Sequence, residues 1–128
     1  MIDIKIDTKE KFTVITPKFQ NLTANIAANF ATEIVQFSEN PPHNIILNAS
    51  DILEVEDAAF DTLAEIRSTL FEQNRSFVIC CLTAPVLQKV KAAELEEVLN
   101  ITPTESEAWD IVQMDEIERE FFADEGIE

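Results

Sequence analysis

Three observations predict an α/β domain built on a mixed, mostly parallel sheet of four to five strands. Strand-like and helix-like hydropathy patterns alternate along the chain. The run at 76–82 (SFVICCL) is nearly all apolar, as expected of a strand covered on both faces. The chain has 128 residues, 46% of them apolar and 27% charged, which suits one packed core.

The elements follow in order. Residues 2–6 (IDIKI) and 12–16 (FTVIT) alternate apolar and polar across the break Thr8-Lys9-Glu10-Lys11, so they read as a hairpin. Asn21-Leu22-Thr23 leads into a helix of about residues 23–37, with Ile26, Phe30, Ile34, Val35 and Phe37 at helical spacing. Asn40-Pro41-Pro42-His43 is a break, and residues 44–48 (NIILN) read as a short central strand. After a connection at 49–56, a helix of about residues 57–73 carries Phe60, Leu63, Ile66, Leu70 and Phe71 along one side. Asp61, Glu65, Arg67 and Ser68 fall largely on the other.

The apolar strand at 76–82 contains Cys80 and Cys81, which the strand pleat directs to opposite faces as buried, reduced thiols. Thr83 and Pro85 open a short helix of about residues 84–91. Val98-Leu99-Asn100-Ile101 reads as a last short strand. Thr104-Glu105-Ser106-Glu107 has the form of a capping box. It opens a helix of about residues 105–122 carrying Ala108, Ile111, Val112, Ile117 and Phe121. The resulting order is β-β-α-β-α-β-α-β-α. Residues 1–122 read as a single domain and 123–128 as an acidic tail.

Composition narrows the function. Nine Lys and Arg against 25 Asp and Glu give a net charge of −16. Such a surface repels phosphate backbones and anionic headgroups, which argues against nucleic acid and membrane as partners and favours a basic one. Gly126 is the sole glycine, so Rossmann and P-loop phosphate cradles are excluded. No apolar run approaches the ~20 residues of a membrane span, and no secretory signal opens the chain, so a cytoplasmic location is expected.

Catalytic and metal chemistry find little support. His43, the only histidine, lies beside Pro41-Pro42 and reads as a solvated loop residue, which leaves no Ser-His-Asp or Cys-His set. Glu54, Glu56 and Asp57 are the one acidic group placed to gather a cation, and loop acids of this kind are usually just solvated. Asp57 as a receiver-type phosphoacceptor needs a paired acidic cluster and a late lysine. Asp7 stands alone after the first strand, and no lysine follows Ile101. No catalytic residue, metal or cofactor is therefore expected. Ser50 is expected to close a strand-end hydrogen bond, and Trp109 to be half-buried on the last helix. Phe121 and Phe122 permit a dimer without requiring one.

Several segments, taken together, resemble one family. The strand Ile45-Ile46-Leu47-Asn48-Ala49-Ser50 precedes a loop, then Glu56-Asp57-Ala58-Ala59-Phe60 opens a helix, with Leu63 three residues on. Ser76-Phe77-Val78-Ile79, Thr83-Ala84-Pro85-Val86, Leu95-Glu96-Glu97-Val98-Leu99 and Thr104-Glu105-Ser106-Glu107-Ala108 follow in the same order as that family's later motifs. The chain resembles the STAS domain, the sulfate transporter and anti-sigma factor antagonist domain, in its stand-alone bacterial form.

The resemblance implies a STAS-like fold and a non-enzymatic protein–protein module in a partner-switching pathway that regulates transcription. The implied partner is an anti-sigma factor or serine-kinase-like protein. In the family pattern, Asp-Ser-Ser-Gly-Leu or Asp-Ser-Ala-Gly-Leu opens the motif helix, and its first serine is phosphorylated by that partner. Asp57 occupies the serine position, Glu56 the aspartate and Ala59 the glycine. Asp57 cannot accept phosphate from a serine kinase and carries a permanent charge where phosphoserine would carry about −1.5 to −2. It reads either as a weak mimic of the phosphorylated state or as a helix cap alone. The implied binding face comprises Glu56, Asp57, Ala58 and Asp61, with Phe19, Gln20 and Asn21 from the preceding loop. A homologue that has lost the switch and serves as an assembly part is the alternative.

Overall fold

The computed structural model describes residues 3–125. Strands β1 (Ile4–Thr8) and β2 (Phe12–Pro17) form the expected hairpin, paired antiparallel from Ile4 opposite Pro17 to Thr8 opposite Thr13. A two-residue strand β3 (Asn21–Leu22) leads into α1 (Ala24–Ser38). Thr23 is the N-cap, and its hydroxyl accepts from the Ile26 amide at 3.2 Å. Strand β4 (Asn44–Asn48), the two-residue β5 (Glu54–Val55) and α2 (Asp57–Glu72) follow. Then come β6 (Phe77–Cys80), α3 (Ala84–Ala92), α4 (Glu96–Leu99), β7 (Ile101–Thr102) and α5 (Glu105–Glu125).

The main sheet has the order β1-β2-β4-β6-β7. Only β1 runs antiparallel to its neighbour; β2, β4, β6 and β7 are mutually parallel. This is the mixed, mostly parallel sheet expected. The two-residue strands β3 and β5 pair with each other in a separate parallel ribbon. Strands of two residues show no periodicity, so neither was foreseen.

The pleat sorts β4 and β6 between two cores. Ile45, Leu47, Phe77 and Ile79 face a large cluster with Phe30 and Ile34 of α1, Phe60, Leu63, Ile66 and Leu70 of α2, and Val86 and Val90 of α3. Ile46, Val78 and Cys80 face a smaller one with Phe12, Val14 and, from α5, Ala108 and Val112. Both faces of the central strands are therefore covered, as their composition requires.

Four expectations are corrected. Val98 and Leu99 lie in the one-turn helix α4 rather than a strand. Asn100 ends that turn in the left-handed region (φ 57°, ψ 63°) and donates to the Phe77 carbonyl at 3.2 Å. Asparagine tolerates this geometry, so the chain turns there and enters a strand of only two residues. Cys81 is not a strand residue. Its φ of 63° breaks the pleat, and it borders the same cluster as Cys80 instead of the opposite one. Both thiols are free, and burial pushes the Cys80 thiol far up, with Cys81 and Glu105 adding to the shift.

Phe71, placed on the apolar side of α2 by periodicity, is 71% exposed, whereas Leu70 beside it is fully buried. On α5, Ala108 and Val112 are buried, while Ile117 is exposed and so, as a candidate contact residue should be, is Phe121. Beyond Val112 the helix meets the sheet through Asp115, Glu116 and Arg119, which hydrogen-bond to Ser76 and Asn44, so its apolar side chains turn outward. The helix also continues to Glu125, past the expected end at 122, and the rest of the expected tail lies outside the described residues. The side chain of Phe122 lies outside them as well.

Candidate functional site

The N-terminal end of α2 is built by hydrogen bonds from three neighbours. The Glu56 amide donates to the Leu22 carbonyl at 3.0 Å, which fixes the helix start against β3. The Glu56 backbone is extended (φ −70°, ψ 146°), as an N-cap requires, yet its side chain does not cap its own helix. Glu56 Oε1 accepts from the Ala24 amide at 2.7 Å and so caps α1. Helix α1 has no acid in its first turn, and Glu56 supplies the missing anion from 32 residues away. Replacing Glu56 by alanine is expected to lower stability by about 1 kcal/mol in urea unfolding, with the fold retained. A loss below about 0.3 kcal/mol counts against a role in capping α1.

Asp57 is the first residue of α2, and its side chain is 93% exposed. Among the described residues its one ion pair is with Lys89 of α3, Nζ to Oδ1 3.3 Å. Lys89 also donates to the Val55 carbonyl at 2.6 Å and lies 5.9 Å from the centre of the Phe60 ring. The lysine is thereby held over the start of α2. Both partners of the ion pair are solvated, so it tunes local charge more than stability.

Ala58 and Asp61 are exposed, and Asp61 stands one turn after Asp57 on the same side of the helix. Gln20 is exposed, while its carbonyl accepts from the Leu53 and Glu54 amides at 2.7 and 3.0 Å. Asn21 is exposed in β3, paired with Glu54. Phe19 differs from the rest. It is half-buried, edge-on to Phe30 with ring centres 6.1 Å apart, so it anchors the loop rather than offering a contact.

An open groove of about 700 Å³ runs beside this face, between the β3–β5 ribbon and α3. Asn21 and Glu56 line it, together with Leu53, Glu54, Pro85 and Lys89. The residues of α3 were not foreseen, because a single lysine on a short helix carries no signal until the fold sets it beside Asp57.

The remaining candidates do not assemble into chemistry. Glu56 is committed to Ala24 and Asp57 to Lys89. Among the described residues, no three His, Cys, Asp or Glu side chains are grouped to hold a metal ion. His43 Nδ1 lies 2.8 Å from the Ser38 carbonyl, a main-chain partner. At the end of β4 it is the Ser50 amide, not its hydroxyl, that donates to Asn48 Oδ1 at 3.0 Å. Trp109 packs at a tilt on Phe12, ring centres 5.2 Å apart, and is 37% exposed. Among the described residues, no helix is long and apolar enough to cross a membrane.

A model of the STAS domain matches residues 3–108. The chain belongs to the STAS-domain family. Solved STAS structures share the fold at low identity. An anti-sigma-factor antagonist (STAS) domain protein from Planctomyces limnophilus is 18% identical, with a TM-score of 0.72 over 86% of this chain and 97% of that one. An anti-sigma factor antagonist from Mycobacterium paratuberculosis is 13% identical, with a TM-score of 0.74 over 88% and 95%. The Bacillus cell fate determinant SpoIIAA in its phosphorylated form is 14% identical, with a TM-score of 0.62 over 86% and 99%. No curated protein sequence matches the chain.

Ala59, which the sequence resemblance sets against the motif glycine, is helical and fully buried in the first turn of α2. No left-handed conformation is needed there, so a methyl group fits and the helix gains about 1 kcal/mol of propensity over glycine.

Proposed function

We propose that this STAS domain is a docking module of a cytoplasmic partner-switching pathway. It binds an anti-sigma factor or serine-kinase-like protein through the start of α2 and takes part in transcription control without chemistry of its own. The observation that carries the reading is Asp57. It opens α2, is almost fully solvated and stands between Glu56 and Lys89, which line an open groove. It also occupies the position where the family carries a phosphorylatable serine. Glu56, Ala58 and Asp61 continue the face, and Gln20 and Asn21 extend it across β3. Phe19 supports the loop from behind.

Asp57 gives the surface a fixed negative charge that Lys89 partly offsets. The matching partner presents a basic or hydrogen-bond-donating pocket, and the interaction weakens with salt. A second reading is a switch-deficient assembly part, favoured by the loss of the hydroxyl at position 57. The two readings separate in one experiment.

The chain and its Asp57→Lys and Asp57→Ser variants are titrated against the kinase-like protein encoded nearest to it in its own genome. The docking reading expects saturable binding by the parent chain and at least about tenfold weakening in Asp57→Lys. It also expects a mass gain of about 80 Da in Asp57→Ser with ATP. Equal binding by the parent and Asp57→Lys, with no phosphorylation of Asp57→Ser, places the partner surface elsewhere.

A further inference from the structure

All three arginines of this chain, Arg67, Arg75 and Arg119, line one cleft of about 350 Å³. The cleft lies where β6 begins, between the end of α2 and the second half of α5. Asp57 stands at the other end of α2, a helix of 16 residues, hence about 24 Å long. The cleft is thus separate from the proposed docking face.

Four of the six lysines, Lys9, Lys11, Lys18 and Lys89, pair with a carboxylate, as abundance alone favours in a chain with 25 acids. None of the arginines has an ion pair among the described residues. Arg67 Nη1 donates to the carbonyls of Glu97 and Val98. Arg75 Nη1 donates to Ser38 Oγ at 3.0 Å. Arg119 donates to Asn44 Oδ1 at 3.3 Å and to Ser76 Oγ at 2.9 Å. Neutral acceptors thus fix three guanidinium groups in place without cancelling their charge.

Two acids share the cleft, Asp115 and Glu118, so cations still outnumber anions there. Asp115 is engaged by the Ser76 hydroxyl at 2.7 Å. Phe71, also in the lining, is the most exposed large apolar side chain among the described residues.

We propose that this cleft binds a small phosphate-bearing ligand. Guanidinium groups match the planar oxygen edges of phosphate and remain charged at every physiological pH. A volume of about 350 Å³ exceeds what free phosphate fills and falls within the usual range for small-molecule sites. The exposed Phe71 ring suits an apolar or aromatic ester group attached to the phosphate.

The test is a titration of the ¹⁵N-labelled full chain with phenyl phosphate and, separately, inorganic phosphate. Ionic strength is held at about 0.15 M so that screening is constant. The expected result is saturable shifts at the Ser76 and Asn100 amides and at the arginine Nε–H signals. Arg75→Gln and Arg67→Gln are each expected to weaken binding by about tenfold. Lys89→Gln, at the other end of α2, is expected to leave it unchanged. Tighter binding of phenyl phosphate, by about 2–10-fold, assigns the cleft to an ester, and equal affinity assigns it to free phosphate. Shifts that never saturate, or affinity equal in Arg75→Gln, Arg67→Gln and the parent chain, overturn the proposal.

Discussion

Replacing Asn44 by leucine is expected to destabilise the protein by about 3–5 kcal/mol. Asn44 opens β4 and is almost completely buried. An asparagine side chain offers two donor hydrogens and two acceptor lone pairs, and here all four are used. Its Nδ2 donates to the Lys11 carbonyl at 3.0 Å and to Glu116 Oε2 at 2.7 Å. Its Oδ1 accepts from the Ser76 amide at 2.8 Å and from Arg119 at 3.3 Å. One side chain thus joins the turn before β2, the start of β6 and helix α5.

Leucine is close in size but can replace none of these bonds. It leaves the buried Ser76 amide and the Lys11 carbonyl without partners, which costs more than the bonds themselves are worth. Urea unfolding should show a lower midpoint at unchanged slope. A loss below about 1 kcal/mol refutes the role of Asn44 as the junction of β4, β6 and α5.

This junction also shows what was legible in the sequence. The order of the long elements could be read from periodicity, because α1, α2, β4 and β6 bury continuous faces. The capping box at Thr104 could be read from residue types. The Glu107 amide donates to Thr104 Oγ1 at 3.2 Å, and the same hydroxyl donates to Glu107 Oε1 at 3.0 Å. The end of α5 could not be read in this way. Its inner face changes from apolar at Ala108 and Val112 to polar at Asp115, Glu116 and Arg119, and hydropathy treats such residues as outward. Ile117 and Phe121, on the same stretch of helix, are exposed.

The candidate site divides along the same line. Glu56, Asp57, Ala58 and Asp61 share one helix start, so their proximity follows from local spacing. The partners that set their chemistry come from distant segments. Ala24 receives the Glu56 carboxylate, and Lys89 faces Asp57. Neither pairing leaves a trace in the sequence, because each depends on how α1 and α3 dock onto the sheet. The arginine cleft is a further case: residues 67, 75 and 119 meet only because α5 returns across the start of β6.

Phe30→Ala is the second large effect, expected at about 3–5 kcal/mol. Phe30 is fully buried in α1 and belongs to the larger core cluster. Truncation removes its burial energy and leaves a cavity that the surrounding strands and helices cannot close. For a domain of this size each kcal/mol shifts Tm by about 3–5 °C, so a fall of about 10–20 °C is expected. Phe71→Ala provides the contrast. That ring is largely solvated, and its loss should change stability by about 0.5 kcal/mol or less.

The effect of Phe30→Ala should also reach the docking face. Phe30 supports Phe19, which anchors the loop whose Gln20 carbonyl holds the Leu53 and Glu54 amides. Amide exchange at Leu53 and Glu54 should therefore quicken by more than the loss of global stability explains. Exchange there that follows global unfolding alone separates the docking face from the α1 core and removes Phe19 from its support.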